Sequence, residues 1–263
     1  MPVNKDDLDL LVSAARAAGQ VAMRHWKNDP KVWHKPDDQG PVTEADYEVD
    51  ALLKTTLCGA RPDYGWLSEE TADSDARLSA KRTFIVDPID GTRAFIGGDQ
   101  AFSHALSVVE DGAVVAAAVY LPALDRMFTA SLDGGAFLNG EPLHVSDRGD
   151  LSGARILAAR PVMDDKHWTG PVPDVTRHLR PSLAYRLCLI AQGRFDAMVS
   201  VRPSWHWDTA AGSLVVTEAG GVIADRTGAT IRYNTPSSQS LGILAGGPDL
   251  MAQILPRLAY SVG

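Results

Sequence analysis

Residues 84–98 read FIVDPIDGTRAFIGG, an apolar run that stops at Asp87, with a second carboxylate at Asp90 and then Gly91-Thr92. Pro88 fixes one φ angle and Gly91 permits an unusual one, so the backbone path beyond the strand is narrowly specified. Asp-Pro and Asp-Gly are also ordinary turn chemistry, and the stretch alone reads equally well as a β-turn. Read as a site, it sets two carboxylates beside the backbone N–H groups of Gly91 and Thr92, a combination suited to cations and a phosphate together.

The surrounding pattern places that strand in a layered α/β protein. Residues 7–26 carry Leu8, Leu11, Val12, Ala15, Ala18 and Ala22 at helical spacing. After the polar stretch HKPDDQGPVT, Thr43 reads as an N-cap and Glu44 to Leu57 as a second helix. YGWL (64–67) and TFIV (83–86) are strand candidates. The run AVVAAAVYL (113–121), with turn signals at Asp133-Gly134-Gly135 and Asn139-Gly140, predicts an antiparallel meander. Beyond it, strands at 155–160, 195–201, 222–225 and 241–246 alternate with helices at 182–193, 208–221 and 248–258. The polar, glycine-bearing DRGDLSG near residue 150 divides an N-terminal α+β half, 1–150, from a C-terminal α/β half, 151–263, packed as one unit.

Composition narrows the function classes. The 25 Lys and Arg against 33 Asp and Glu give a formal charge of −8, without the basic footprint that nonspecific nucleic-acid or membrane-surface binding needs. Cys58 and Cys188 form no CxxC pair, so neither a disulfide framework nor a cysteine zinc site is expected, and a reducing cytoplasm is the natural compartment. The charged start MPVNKDDLDLL does not resemble a signal peptide, and no stretch reaches the roughly 18 apolar residues of a membrane span.

Other acids recur beside predicted element ends: Asp46 in the first turn of its helix, Glu69-Glu70 after a strand, and Asp208 as a candidate N-cap behind WHW. Each has a dull explanation as a cap or a solvated loop acid. Their combination supplies oxygen-only ligands, which suit Mg²⁺, and such acids in one pocket would repel one another unless cations neutralised them.

PVTEAD (41–46), LSEET (67–71), VDPIDGT (86–92) and WDTAAG (207–212), continued by EAGG (218–221), resemble the ordered signatures of the inositol monophosphatase superfamily. The resemblance covers most of the chain and implies an αβαβα sandwich, a phosphomonoesterase activity, and two to three Mg²⁺ ions. It also implies that Mn²⁺ substitutes, that Li⁺ or Ca²⁺ inhibits, and that a homodimer is a common state. Glu69, Asp87 and the carbonyl of Ile89 resemble the ligands of a first ion, and Asp87, Asp90 and Asp208 those of a second. Asp46 and Thr92 resemble the pair that orients and deprotonates the attacking water. The Gly91 and Thr92 amides would hold phosphate, and Glu70 matches a neighbouring acid.

The implied substrate is a small phosphorylated metabolite. Arg93 followed by Ala94-Phe95-Ile96, and the segment SLAYRLCLIAQG, are similar to the bisphosphate nucleotidase branch. Histidinol-phosphatases share the first of these features, and inositol 1-phosphate and fructose 1,6-bisphosphate stay open as substrates. Arg93 either binds a second phosphate bidentately or pairs with a surface acid. Arg186 is a candidate substrate contact or part of a solvated helix face, and His206 a candidate contact or a packed structural residue. The alternative from a different class is a non-catalytic binder of metal or phosphometabolite.

Overall fold

Helices α1 (Pro2–His25) and α2 (Glu44–Ala60) bury the faces their periodicity marks, with Leu11, Ala15, Ala18, Val49, Leu53 and Leu57 fully inaccessible. The structure, a computed structural model, describes residues 2–35 and 40–259. The polar stretch between these helices contains a short antiparallel ribbon, β1 (Val32–His34) against β2 (Pro41–Thr43); residues 36–39 of it lie outside the described residues.

Seven strands then form one sheet in chain order: β3 (Gly65–Ser68), β4 (Arg82–Asp90), β5 (Ser103–Glu110), β6 (Ala113–Leu121), β7 (Arg126–Ser131), β8 (Gly135–Leu138) and β9 (Glu141–Pro142). Only β3 and β4 run parallel. The predicted meander is present, and its turns use positive φ at Asp133, Gly135, Asn139 and Gly140. The short helix α3 (Thr92–Ile96) follows β4 after the single residue Gly91.

Alternation along β4 sets the layers. Phe84 and Val86 pack against α1 and α2, while Ile85 points the other way, toward α4 (Leu183–Ala191) and α5 (His206–Glu218). A second sheet covers the far side of α4 and α5. It is built from β10 (Arg155–Ala158), β11 (Thr176–His178), β12 (Ala197–Ser200), β14 (Val222–Ala224) and β16 (Ile243–Gly246), in the order β11-β10-β12-β16-β14. Strands β13 (Ser204–Trp205) and β15 (Gln239–Ser240) make a separate ribbon at the start of α5. Helix α6 (Pro248–Ile254) closes the outer face against Leu244 and Val199. The stack is α, β, α, β, α, as expected, and the central core joins residues from both sides of position 150.

Two local expectations need correction. The chain does not turn at Asp87: β4 continues to Asp90 across a β-bulge, pairing Asp87 with Ala105 and Asp90 with Ser103. Asp208 is not an N-cap either. Pairing with β15 holds Ser204-Trp205 extended, so the helix begins at His206 and Asp208 occupies its third position.

The middle helices approach closely at Gly212, where an added Cβ would lie 2.6 Å from the Leu187 Cβ and 3.2 Å from the Ala184 carbonyl oxygen. Alanine ordinarily stabilises a helix interior by about 1 kcal/mol over glycine. Here Gly212→Ala should instead lower the unfolding free energy by about 1–3 kcal/mol through overpacking, measured by urea denaturation.

Candidate active site

The site grows from the bulge in β4. Three residues apart, Asp87 and Asp90 would face opposite sides of a regular strand, and the extra residue of the bulge rephases the chain so that both carboxylates meet Asp208 of α5. Oxygens of these three acids lie within 4.8 Å of one another. The fully buried His104 on β5 donates its Nδ1 proton to the Pro88 carbonyl and steadies the bulge. Burial pushes its pKa down to about 4, so the ring is neutral.

Asp90 sits against the N-terminus of α4. It accepts hydrogen bonds from the Ser182 hydroxyl at 2.7 Å, the Leu183 amide at 3.1 Å and the Ala184 amide at 2.7 Å. Ser182 also caps the helix by accepting from the Tyr185 amide at 2.9 Å. Gly91 is required twice over: its φ is +97°, and a Cβ there would meet the Ser182 amide nitrogen at 3.3 Å and the Ala101 carbonyl oxygen at 3.4 Å.

Burial raises the pKa values of Asp87, Asp90 and Asp208. For Asp87 and Asp208, the charges of Glu69 and Asp90 push in the same direction. At Asp90 the bonds from Ser182 and the α4 amides oppose the shift.

Asp46 closes the start of α2 in a reciprocal cap. It accepts from the Thr43 amide at 2.8 Å and the Thr43 hydroxyl at 2.6 Å, while the Thr43 hydroxyl oxygen accepts from Ala45. Its other oxygen faces the Thr92 hydroxyl at 3.4 Å, a hydroxyl that also lies 3.2 Å from the Ile89 carbonyl oxygen. Burial pushes the Asp46 pKa up to about 6, against the pull of the Thr43 bonds and with added repulsion from Glu69.

Glu69 and Glu70 share one cation that the sequence did not single out. The Lys35 ammonium donates to Glu69 at 2.8 Å and to Glu70 at 2.7 Å. Burial and then the Glu69 charge push Glu70 up to about 7. Asp50, one helical turn beyond Asp46, fixes the same segment by accepting from Ser68 at 2.5 Å and Thr71 at 2.6 Å.

These elements enclose a cavity of about 330 Å³ lined by Glu69, Asp87, Ile89, Asp90, Gly91, Thr92, Arg93, Ser182, Arg186 and Asp208 among others. Arg93 is exposed at its rim. Arg186 is partly buried, its Nε held 2.6 Å from the Arg180 carbonyl oxygen; burial lowers its pKa while Asp90 and Asp208 oppose that shift. It therefore faces the acids instead of lying on a solvated helix face. Asp46 and Glu70 stand behind the lining, through Thr92 and Glu69 respectively. Of the two readings of His206, a substrate contact or a packed structural residue, the structure has the packed one: its ring is fully buried against Tyr233, with centroids 5.2 Å apart, and is not part of the cavity lining.

The donor set fits a hard divalent cation. All the converging ligands are oxygens, and the buried Asp87 Oδ1 has no hydrogen-bond partner.

A layered fold with acids gathered beneath a cavity that also carries arginines is suited to holding a divalent cation together with an anionic ligand. The inositol monophosphatase family model matches residues 4–259, and the chain belongs to that family. It is similar to an inositol-1-monophosphatase of Rhizobium meliloti, at 34% identity over 84% of this chain and 86% of the relative. It is also similar to a fructose-1,6-bisphosphatase/inositol-1-monophosphatase of Thermotoga maritima, at 32% identity over 85% and 86%. The solved structure of a Thermotoga maritima IMPase superposes with a TM-score of 0.81 at 28% identity, covering 95% of each chain.

The raised carboxylate pKa values carry a sign. The folded state of such a group is favoured while it is protonated, and that contribution is lost as pH rises through the folded pKa. Repulsion among the acids is therefore greatest at alkaline pH, where a bound cation relieves most. Mg²⁺ should raise the thermal midpoint more at pH 8 than at pH 5 in differential scanning fluorimetry; an equal shift would place the cation elsewhere.

Proposed function

We propose that the protein is a Mg²⁺-dependent phosphomonoesterase acting on a small metabolite that carries a second phosphate, with a 3′(2′),5′-bisphosphate nucleotide as the favoured substrate. The observation that carries this reading is the placement of Arg93 and Arg186 on the wall of the cavity whose floor is Asp87, Asp90 and Asp208. One phosphate sits over the acids, and the arginines receive the other.

The protein's groups divide the work. Glu69, Asp87, Asp90, Asp208 and the Ile89 carbonyl would hold the cations, which when bound would supply positive charge at the phosphoryl group and lower the pKa of the attacking water. Asp46, with a pKa of about 6, is a base near neutrality, and through the Thr92 hydroxyl it orients that water for in-line attack. The Gly91 and Thr92 amides steady the phosphate. A net charge of −8 fits action on free metabolites in the cytoplasm over nucleic-acid polymers.

A second reading, fructose 1,6-bisphosphate hydrolysis, uses the same two arginines and agrees with the double name of the Thermotoga maritima relative. Inositol 1-phosphate and histidinol phosphate are the single-phosphate comparisons.

Phosphate release with Mg²⁺ from these four substrates, with EDTA and Li⁺ controls, tests the reading. Arg93→Ala and Arg186→Ala should each lower kcat/KM for the bisphosphate by roughly 10–100-fold, the scale of a charged hydrogen bond, and affect the monophosphates less. Equal losses on all four substrates would remove the second-phosphate assignment. Asp90→Asn should abolish turnover and keep unfolding stability within about 2 kcal/mol, because the amide oxygen still accepts from the start of α4. Release from none of the substrates would favour a non-catalytic binder.

A further inference from the structure

Among the described residues, the largest fully buried side chain is a cation outside the cavity, Arg77, with 2% of its surface accessible. All three nitrogens of its guanidinium donate hydrogen bonds. Nε donates to Asp73 Oδ1 at 2.7 Å and Nη2 to Asp73 Oδ2 at 2.8 Å, a bidentate pair. Nη1 donates to the Asn234 side-chain oxygen at 2.7 Å, and Nη2 also reaches the Thr235 carbonyl at 3.1 Å and the Ser238 hydroxyl at 2.8 Å. Asn234 returns a bond to the Arg77 carbonyl at 3.3 Å and another to Thr83 on β4 at 3.0 Å.

The cluster joins two segments distant in sequence, each of which leads, directly or through the start of α5, within a few residues to an acid of the site. Asp73 lies three residues after Glu70. Ser238 accepts the His206 amide at its carbonyl at 2.9 Å, and Gln239 pairs with Trp205, so the 234–240 segment fixes the start of α5 two residues before Asp208. Asn234 and Ser238 both take positive φ, at 56° and 53°, a conformation uncommon for side-chain-bearing residues and here held by these bonds.

We propose that Arg77 is a positioning residue, a buried clamp that joins the Glu69-Glu70 segment to the first turn of α5 and thereby sets the spacing between Glu69 and Asp208. It touches neither substrate nor cation. This inference rests on the reading of those acids as cation ligands.

The test is Mn²⁺ binding to the whole protein, followed by electron paramagnetic resonance without substrate, alongside thermal midpoints. Arg77→Lys keeps the charge and loses the fork, and should raise the half-saturating Mn²⁺ concentration by about tenfold, the scale of one coupled buried interaction. Asn234→Ala should shift it in the same direction by less, and decides the matter if Arg77→Lys does not fold. Arg155→Lys is the control, because its ion pair with Asp196 at 2.9 Å bonds to neither segment; it should alter stability and leave Mn²⁺ affinity unchanged. Variants at 77 and 234 that melt earlier yet bind Mn²⁺ like the unaltered protein would overturn the clamp. Failure of the unaltered protein to bind Mn²⁺ would overturn the cation reading and the clamp with it.

Discussion

Mutual repulsion among buried carboxylates is the constraint to which the architecture around the cavity answers. Asp87 and Asp90 are nearly inaccessible, and Asp208 and Glu69 are close enough to raise the pKa of Asp87. Charges held in a medium of low polarisability are costly unless opposed. The fold opposes them locally and differently at each position: helix amides and a serine at Asp90, a threonine cap at Asp46, and an ammonium between Glu69 and Glu70. Asp87 has no such provision on one oxygen, which makes it the natural point for a divalent cation to enter the set.

The functional consequence is a separation between floor and wall. The floor is acidic and attracts cations, while Arg93 stands at the rim and Arg186 lines the wall beside Asp90 and Asp208. A strongly acidic protein can in this way present a surface that accepts phosphate. The proposal of a doubly phosphorylated metabolite rests on Arg93 and Arg186 lining the same cavity as the acids.

Much of this was legible in the sequence where the information is local. The TFIV strand, the Thr43 cap with Asp46 three residues later, and the helix and strand alternation after residue 150 depend on neighbours within one or two turns. The convergence of Asp46, Glu69, Asp87, Asp90 and Asp208 was legible only through the family resemblance, because spacing does not report which side of a sheet an acid faces. The bulge at 87–90 depends on pairing with β5, which escapes periodicity because SHALSVV is buried on both faces. Lys35 looked like one charge in a polar stretch, and Ser182 was only the first residue of a predicted helix. The i, i+4 relation of Asp46 and Asp50 was an available signal, since it puts both acids on one helix face. The isolation of His206 between two tryptophans gave no hint that its ring would turn toward Tyr233.

The middle helical layer has a bearing on how the molecule comes apart. Helix α5 is inaccessible from Thr209 through Val216 because one sheet covers it on each side. Removing either sheet would expose the same apolar helix to water, so neither half retains a closed core without the other. Local opening of the outer elements stays inexpensive, but loss of α5 is loss of the whole structure. A single sharp melting transition is the natural behaviour of such a stack, and Asp208, carried on that helix, reports the integrity of both sheets at once.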